Sequence, residues 1–551
     1  MRNLITVFIK RAYPSTVFVF TLFIYNPSIA QLNLNWAYSF GSSNANDHTL
    51  IYRSALNDKN GIVIFGECDS TVDLDPGSGV ANLNNLPYYN SNFTSNNFIA
   101  QYDSMANLQF VRLMADTVYG SYAVLRMFKI LCDKTGNIYF LLTYLNVNSG
   151  SSLGMGWNVS GNMITTDIPS GMSGSFILKF DDAGNCLYAK SLGFNAEIRN
   201  AVIDNDNNLI YMGDFKGTTD LDPGASIQNF TATYEDAYLT KLDTSGNVIF
   251  IKIIHCLNFV ASGMAEVGPM YIVTDTHDNI YFTLAFYGLF DFDPGAGLAA
   301  AAGSYNSNTP WNVMLVKWDS SGSYIYKKGF YQTNFGINLK IDPNNNLYLW
   351  GSVNFPTDID PGPSTTMLYP ANGWNVLANY SDDGNLISYK QFSGVGHENR
   401  IIDLAITGDK LLILAFDKSD SASYSSIGIP SVGNINNFGK ELFIVSDTTF
   451  SSSSFQVISE SYDSIPIYSG IITGTNNSIY LVGSYIGVFD ADFNAGVHNL
   501  QNLFANQYTE SGLISKYLIT AVPLPVGIME NEEPEIINIY PNPFYYSLSV
   551  Y

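Results

Sequence analysis

The chain has 551 residues, of which 13% are charged and 14% aromatic. It can therefore bury a sizeable core, which excludes global disorder. Lys and Arg number 25 against 48 Asp and Glu, a formal net charge of −23. That sign repels duplex nucleic acid and anionic membranes, and no basic run offsets it, so nucleic acid is not an expected partner.

Residues 1–30 carry Arg2, Lys10 and Arg11 ahead of an apolar run, Val17 to Ile24. Pro27 breaks any helix, and Ser28, Ile29 and Ala30 place small residues before a cut. This is the pattern of a secretory signal peptide cleaved after Ala30. Cleavage leaves 22 basic residues and a charge near −26. The run is too short for a comfortable span, and no later segment reaches roughly 18 uninterrupted apolar residues, so no stable membrane span is expected in the mature chain.

Residues 31–520 are internally repetitive in three registers. The first is a small polar residue followed by an apolar strand. It begins at Gly61, Asn137, Asn208, Asn279, Asn346, Asp409 and Ser478, seven copies spaced 76, 71, 71, 67, 63 and 69 residues apart. The second is an apolar strand ending in Asp and a turn. Lys179-Phe-Asp-Asp-Ala-Gly184, Lys241-Leu-Asp-Thr-Ser-Gly246, Lys317-Trp-Asp-Ser-Ser-Gly322 and Tyr380-Ser-Asp-Asp-Gly384 are clear copies. Degenerate ones lie at Gln101–Asp103, Val445–Asp447 and Lys516–Tyr517. The third register is Asp-x-Asp-Pro-Gly, at Asp73, Asp220, Asp291 and Asp358, with a decayed copy at Asp490.

Short β-branched and aromatic strands between Gly, Asn and Asp turns predict an all-β chain. A period near 70 holds four strands plus long loops, and seven such units fit a seven-bladed β-propeller of four-stranded blades. The last unit lacks its fourth strand, and Trp36-Ala-Tyr-Ser-Phe-Gly41 supplies a match at the mature N-terminus. That strand is expected to complete the last blade and remove two exposed edges.

After Thr520 the pattern stops, and residues 521–535 read as a Pro-containing acidic linker. Residues 536–551 contain Tyr540-Pro-Asn-Pro-Phe544 followed by Tyr545-Tyr-Ser-Leu-Ser-Val-Tyr551. They resemble the opening of the type IX secretion C-terminal sorting domain, here a truncated copy. The resemblance implies passage through the periplasm and outer membrane by the type IX secretion machinery, to a secreted or cell-surface location. The repeats resemble the bacterial β-propeller repeat (SBBP-like) of many such cargo proteins, with Gly217-Thr-Thr-Asp-Leu-Asp-Pro-Gly224 the best match. That resemblance implies a propeller and no fixed activity.

The Asp-x-Asp-Pro-Gly loops are the repeated acidic constellation. Asp73/Asp75, Asp220/Asp222, Asp291/Asp293 and Asp358/Asp360 could ligate calcium, the one cofactor the sequence suggests. The alternative is that Asp caps turn N–H groups while Pro and Gly set the dihedrals. Trp157, Trp311 and Trp374 fall in loops where aromatics can stack on sugars or anchor a protein partner, or pack between blades. Cys68, Cys132, Cys186 and Cys256 form no C-x-x-C pair and read as small buried residues, with one disulfide open as an alternative. His48, His255, His277, His397 and His498 are scattered, and no catalytic motif accompanies them. The expected function is a binding or scaffold module for a glycan or protein, the alternative a metal-dependent hydrolase or lyase.

Overall fold

The computed structural model describes residues 4–9, 18–23, 28–40, 48–68, 72–77, 79, 81–83, 96–116, 123–146, 153–159, 162–259, 265–304, 311–331, 333–353, 355–369, 374–395, 399–417, 421–423, 432–433, 440–448, 453–459, 467–486, 488–492, 498–501 and 510–523. The sorting-like segment 536–551 lies outside them. Among these residues every regular element is a strand.

Two compact units are distinguished, residues 32–519 and a smaller one of 1–31 with 520–551. In the smaller unit Leu4–Ile9 pairs antiparallel with Phe18–Phe23. The larger unit is β-propeller-like and is built from antiparallel four-strand sets. Sheet 1 runs Thr49–Leu56, Ile62–Cys68, Asn96–Tyr102 and Leu108–Asp116. Sheet 2 runs Ala123–Cys132, Ile138–Asn146, Ser173–Phe180 and Cys186–Ser191. Sheet 3 runs Ala196–Ile203, Leu209–Asp220, Asn229–Leu242 and Val248–Asn258. Sheet 4 runs Glu266–Thr274, Ile280–Asp291, Asn312–Trp318 and Tyr324–Phe330. Sheet 5 runs Asn334–Ile341, Leu347–Val353, Trp374–Tyr380 and Leu386–Val395. Sheet 6 runs Asn399–Thr407, Lys410–Asp417, Lys440–Asp447 and Ser453–Ser459. Sheet 7 takes Ile467–Thr473, Ser478–Ile486 and Glu510–Pro523, and its fourth strand is Ser28–Phe40 from the other end of the chain.

The second strands read as continuous apolar runs because both of their faces are covered. Ile62, Val63, Ile64 and Phe65 are all buried, as are Leu411 to Leu414. The core is a series of layers between neighbouring sheets. Phe65 stacks with Phe140 across sheets 1 and 2, and Trp350 lies with Leu411 and Ile413 across sheets 5 and 6. A further layer joins Tyr480, Val482 and Ile514 of sheet 7 to Ile62, Ile64 and Phe98 of sheet 1. First strands pack on one another in sheet order, and Ile467–Thr473 packs in turn on Thr49–Leu56.

Two polar contacts repeat between neighbouring sheets. In the turn joining strands one and two, a backbone N–H donates to the side chain of the next sheet's left-handed turn residue. The pairs are Lys134 to Asn207 (3.0 Å), Asn205 to Asp278 (2.8 Å), Thr276 to Asn345 (3.2 Å) and Thr475 to Asn60 (2.8 Å). Asn60, Asn207, Asp278 and Asn345 all have φ near +60°, a conformation Asn and Asp tolerate better than most residues. The second contact comes from a third-strand lysine. Lys179, Lys241, Lys317 and Lys516 donate to the carbonyls of Thr244, Ser320, Asp382 and Ser104 in the next sheet's outer turn.

Candidate functional site: the loop end of the sheets

Antiparallel order puts the one-to-two and three-to-four turns at one end of every sheet. The two-to-three loops and the sheet-to-sheet links lie at the other. The turn end is uniform. Asp133, Asp204, Asp275 and Asp342 each accept N–H bonds on one oxygen from residues two and four further on, while the following Asn amide donates to the other oxygen. Asp103, Asp181 and Asp243 do the same in the outer turns. These are self-satisfied Asx turns, and they hold their carboxylates in place as structure.

The loop end is irregular and carries six of the seven aromatic rings exposed among the described residues; the other, Tyr389, lies on the fourth strand of sheet 5. Phe194, Phe259 and Tyr331 lie in sheet-to-sheet links, Phe355 and Tyr369 in the loop of sheet 5, and Tyr234 near the start of a third strand. Tyr234 and Phe259 meet edge to face at 5.6 Å. Of the three tryptophans singled out by sequence, Trp311 is partly buried and stacks on Tyr287 at 4.3 Å, so it is a packing residue on its inner face. Trp157 and Trp374 fall in strands, Leu153–Val159 and Trp374–Tyr380, and not in loops. Their side chains lie outside the described residues.

The Asp-x-Asp-Pro-Gly loops are two-to-three loops, and all four clear copies share one geometry. The first carboxylate accepts the N–H of the second Asp and an N–H eight residues on: Ala81 for Asp73, Gln228 for Asp220, Ala299 for Asp291 and Thr366 for Asp358. The second carboxylate accepts the glycine N–H, as in Asp75 to Gly77, Asp222 to Gly224, Asp293 to Gly295 and Asp360 to Gly362. Asp490 keeps the first pattern with Asp492 and His498. The loops stand apart from one another, one to a sheet. Among the described residues no three His, Cys, Asp or Glu side chains are grouped to hold a metal ion.

Sequence reasoning missed the acidic rim of sheets 3 and 4. Glu197 pairs across the strands with Asp214, and a β-bulge at Arg199 turns that residue toward both. Arg199 grips Asp214 with two bonds, 2.6 and 3.3 Å, and reaches Glu197 at 2.9 Å. Glu235 lies beside Asp214 and 3.4 Å from Lys216. Burial pushes the Glu235 carboxyl up to about 8, and the charges of Asp214 and Glu266 add to that while Lys216 opposes it. Glu235 thus sits in surroundings that favour its protonated form, beside a carboxylate that an arginine holds. The adjacent Asp236 accepts from Cys256 N–H and pairs with His255 at 2.8 Å, which raises the imidazole pKa. No linear motif marks this cluster, because its members come from five strands and meet only through register.

The remaining sequence candidates are structural. All four cysteines are thiols with no disulfide. Burial pushes Cys256 up to about 11, which makes it a poor nucleophile. His277 occupies a turn, where its N–H caps Asp275, and His48 accepts the Glu510 N–H. His397 lies outside the described residues. No helix among the described residues is long and apolar enough to cross a membrane.

No family model matches the chain, and no curated protein matches it. Solved structures similar to it at 10% identity include NanB in complex with Optactamide (TM-score 0.32; 90% of this chain, 70% of that one) and a variant of NanB sialidase from Streptococcus pneumoniae (TM-score 0.31; 90% and 70%). A protein of unknown function from Bacteroides caccae is also similar, at 10% identity, with a TM-score of 0.19 over 53% of this chain and 89% of that one.

Proposed function

We propose that this chain is an exported, surface-associated seven-bladed β-propeller whose loop end binds a glycan or a protein. The blades are sheets 1 to 7, and Ser28–Phe40 is the strand that completes the last one. The reading draws on the cyclic order of first-strand packing and on the two inter-sheet contacts that recur from sheet 7 to sheet 1. Cleavage after Ala30 would keep Gln31–Phe40 for that strand.

The observation that carries the binding reading is the asymmetry of the two ends. Among the described residues six of the seven exposed aromatic rings stand at the loop end, and the seventh, Tyr389, lies within the fourth strand of sheet 5. Exposed rings gathered on one irregular surface are the usual anchors of glycan and protein ligands. The test is binding of the exported chain to a glycan panel and to surface extracts, against a Tyr234→Ala, Phe259→Ala variant. Loss of at least tenfold in that variant supports the reading. Equal binding by both proteins, or no ligand in either screen, overturns it.

A hydrolase or lyase reading has one observation in its favour, the Glu235 carboxyl that burial raises beside Asp214, since a carboxyl group shifted toward neutral pH suits acid–base work. It requires a substrate whose turnover Glu235→Gln abolishes.

A further inference from the structure

The first strands carry a second polar constellation that neither the loop end nor the repeat accounts for. In all seven sheets the register between strands one and two shifts near the middle of the first strand. The residues just past the shift include Arg53, Asn200, Tyr271, Asn338 and Asp403. Two of them reach the neighbouring first strand. Asn200 donates to the Met270 carbonyl at 2.7 Å, and Asp403 accepts the Ile471 N–H at 3.1 Å. Two residues further along lie Lys129 in sheet 2 and Lys340 in sheet 5.

These side chains converge across the sheets. Lys340 sits 3.7 Å from Asp403. Lys129, three sheets away from Lys340, is within electrostatic reach of Lys340, Arg53 and Asp403. Tyr271 of sheet 4 is within reach of Arg53 and Asp403. Among the described residues three cations therefore lie near Asp403, and that carboxylate is already engaged by the N–H groups of Leu404 and Ile471. The excess positive charge is unexpected at the middle of a chain whose formal charge is −23.

We propose that Arg53, Lys129 and Lys340 form an anion site on the sheet axis, which takes one compact oxyanion: a carboxylate, sulfate or phosphate group. Such a group would offset the mutual repulsion of the cations, and low-dielectric walls would focus their field on it. Tyr271 stands beside Arg53 as a hydroxyl donor. Burial, then Lys340 and Arg53, pull the Lys129 pKa down to about 8, against the opposing pull of Asp403. The site rests on the closed-ring reading above and gives its binding role an anionic ligand class.

The test is calorimetric titration of the full chain at pH 7 with sodium sulfate, sodium phosphate and methyl glucuronide, at constant ionic strength held with sodium chloride. One saturable site is expected, with affinity reduced at least tenfold in Lys129→Met, Lys340→Met and severalfold in Lys129→Gln. Lys134→Met, at the turn end, should bind as the parent does. If methyl glucuronide binds more tightly than the inorganic ions, the source is an acidic sugar; the reverse order points to a free ion. Absence of saturable binding by the parent, or unchanged affinity in both Lys129 variants, overturns the site. Circular dichroism of each variant separates lost binding from lost folding. Glycan or protein binding that survives in Lys129→Met, Lys340→Met leaves the loop-end reading standing by itself.

Discussion

The Lys516 ammonium donates to the Ser104 carbonyl at 2.8 Å, although 412 residues separate them in the chain. The same bond joins Lys179 to Thr244 and Lys317 to Asp382 in sheets that are neighbours in sequence. Each of these three lysines also lies over the tyrosine opposite it on strand two: Tyr480, Tyr139 and Tyr281, at 5.3, 4.7 and 4.8 Å. The last sheet thus treats the first as its next neighbour. Removal of residues 31–40 exposes the long edge of Glu510–Pro523. The expected result is a lower melting temperature and concentration-dependent association. An unchanged melt by calorimetry would mean that the strand does not complete the blade.

Lys241 is the member of that series with the most to lose. It is buried and pairs with buried Asp204 at 2.9 Å. Lys241→Met keeps the packing volume but leaves the carboxylate without its cation, which should cost about 3 kcal/mol. Lys516→Met, at a more exposed contact, should cost about 1 kcal/mol. Urea titrations of the two variants would reveal the ranking, and equal costs would contradict it.

The outer turns carry an acid-sensitive contribution. In Asp103, Asp181, Asp243 and Asp319 slight burial would raise the carboxyl pKa, but bonds from the turn N–H groups and the residue four further on outweigh it. All four values fall below the ordinary range. A depressed carboxyl pKa stabilises the fold above the unfolded value, about 3.9, and that contribution is lost as pH falls through the folded value. Asp→Asn replacement at all four positions should flatten the stability profile below pH 4, read by urea unfolding at several pH values.

Much of this architecture was legible in the sequence, for a physical reason. Strands two and three are buried on both faces, so each copy keeps an apolar run such as Ile280–Asp291 or Asn312–Trp318 between fixed turn residues. The Asp-x-Asp-Pro-Gly loops announced their own caps, because the bonds run between residues two and eight apart. The first strands were less visible, since the bulge near Arg53 or Arg199 breaks the period of two. The Asp214–Glu235 pair and the Lys129–Lys340 cluster were invisible, because only strand register and sheet packing bring those residues together. For Trp311 the sequence left ligand stacking and packing open, and the ring is held on Tyr287.

Glu235 gives the opposite pH signature to the turn aspartates. Its carboxyl moves from 4.5 to about 8, chiefly through burial and then through Asp214, with Lys216 opposing and Glu266 adding. Between those values the folded chain holds a proton that the unfolded chain has lost. The contribution is therefore full below pH 4.5 and declines as pH rises toward 8. Glu235→Gln keeps a donor toward Asp214 and removes the titration. Its stability relative to the parent should rise across that window by on the order of 1–2 kcal/mol after solvent screening. A constant difference from pH 5 to pH 8 would show that Glu235 ionises normally.

The paired aspartates yield the sharpest test of a cofactor. In each loop one oxygen of the first Asp already takes two N–H bonds, and one oxygen of the second takes the glycine N–H. Asp222 also accepts the Gln228 side-chain amide on its other oxygen. Calcium needs six or more oxygens, and among the described residues no three acidic, His or Cys side chains gather at these loops to hold an ion. A ligand that binds only the folded state raises the melting temperature by mass action. The chain should therefore melt at the same temperature in millimolar calcium and in EDTA, and Asp220→Ala should lower that temperature equally in both, by the loss of a turn cap worth about 1 kcal/mol. A calcium-dependent rise that Asp220→Ala abolishes would reverse this conclusion and make the loops cation sites.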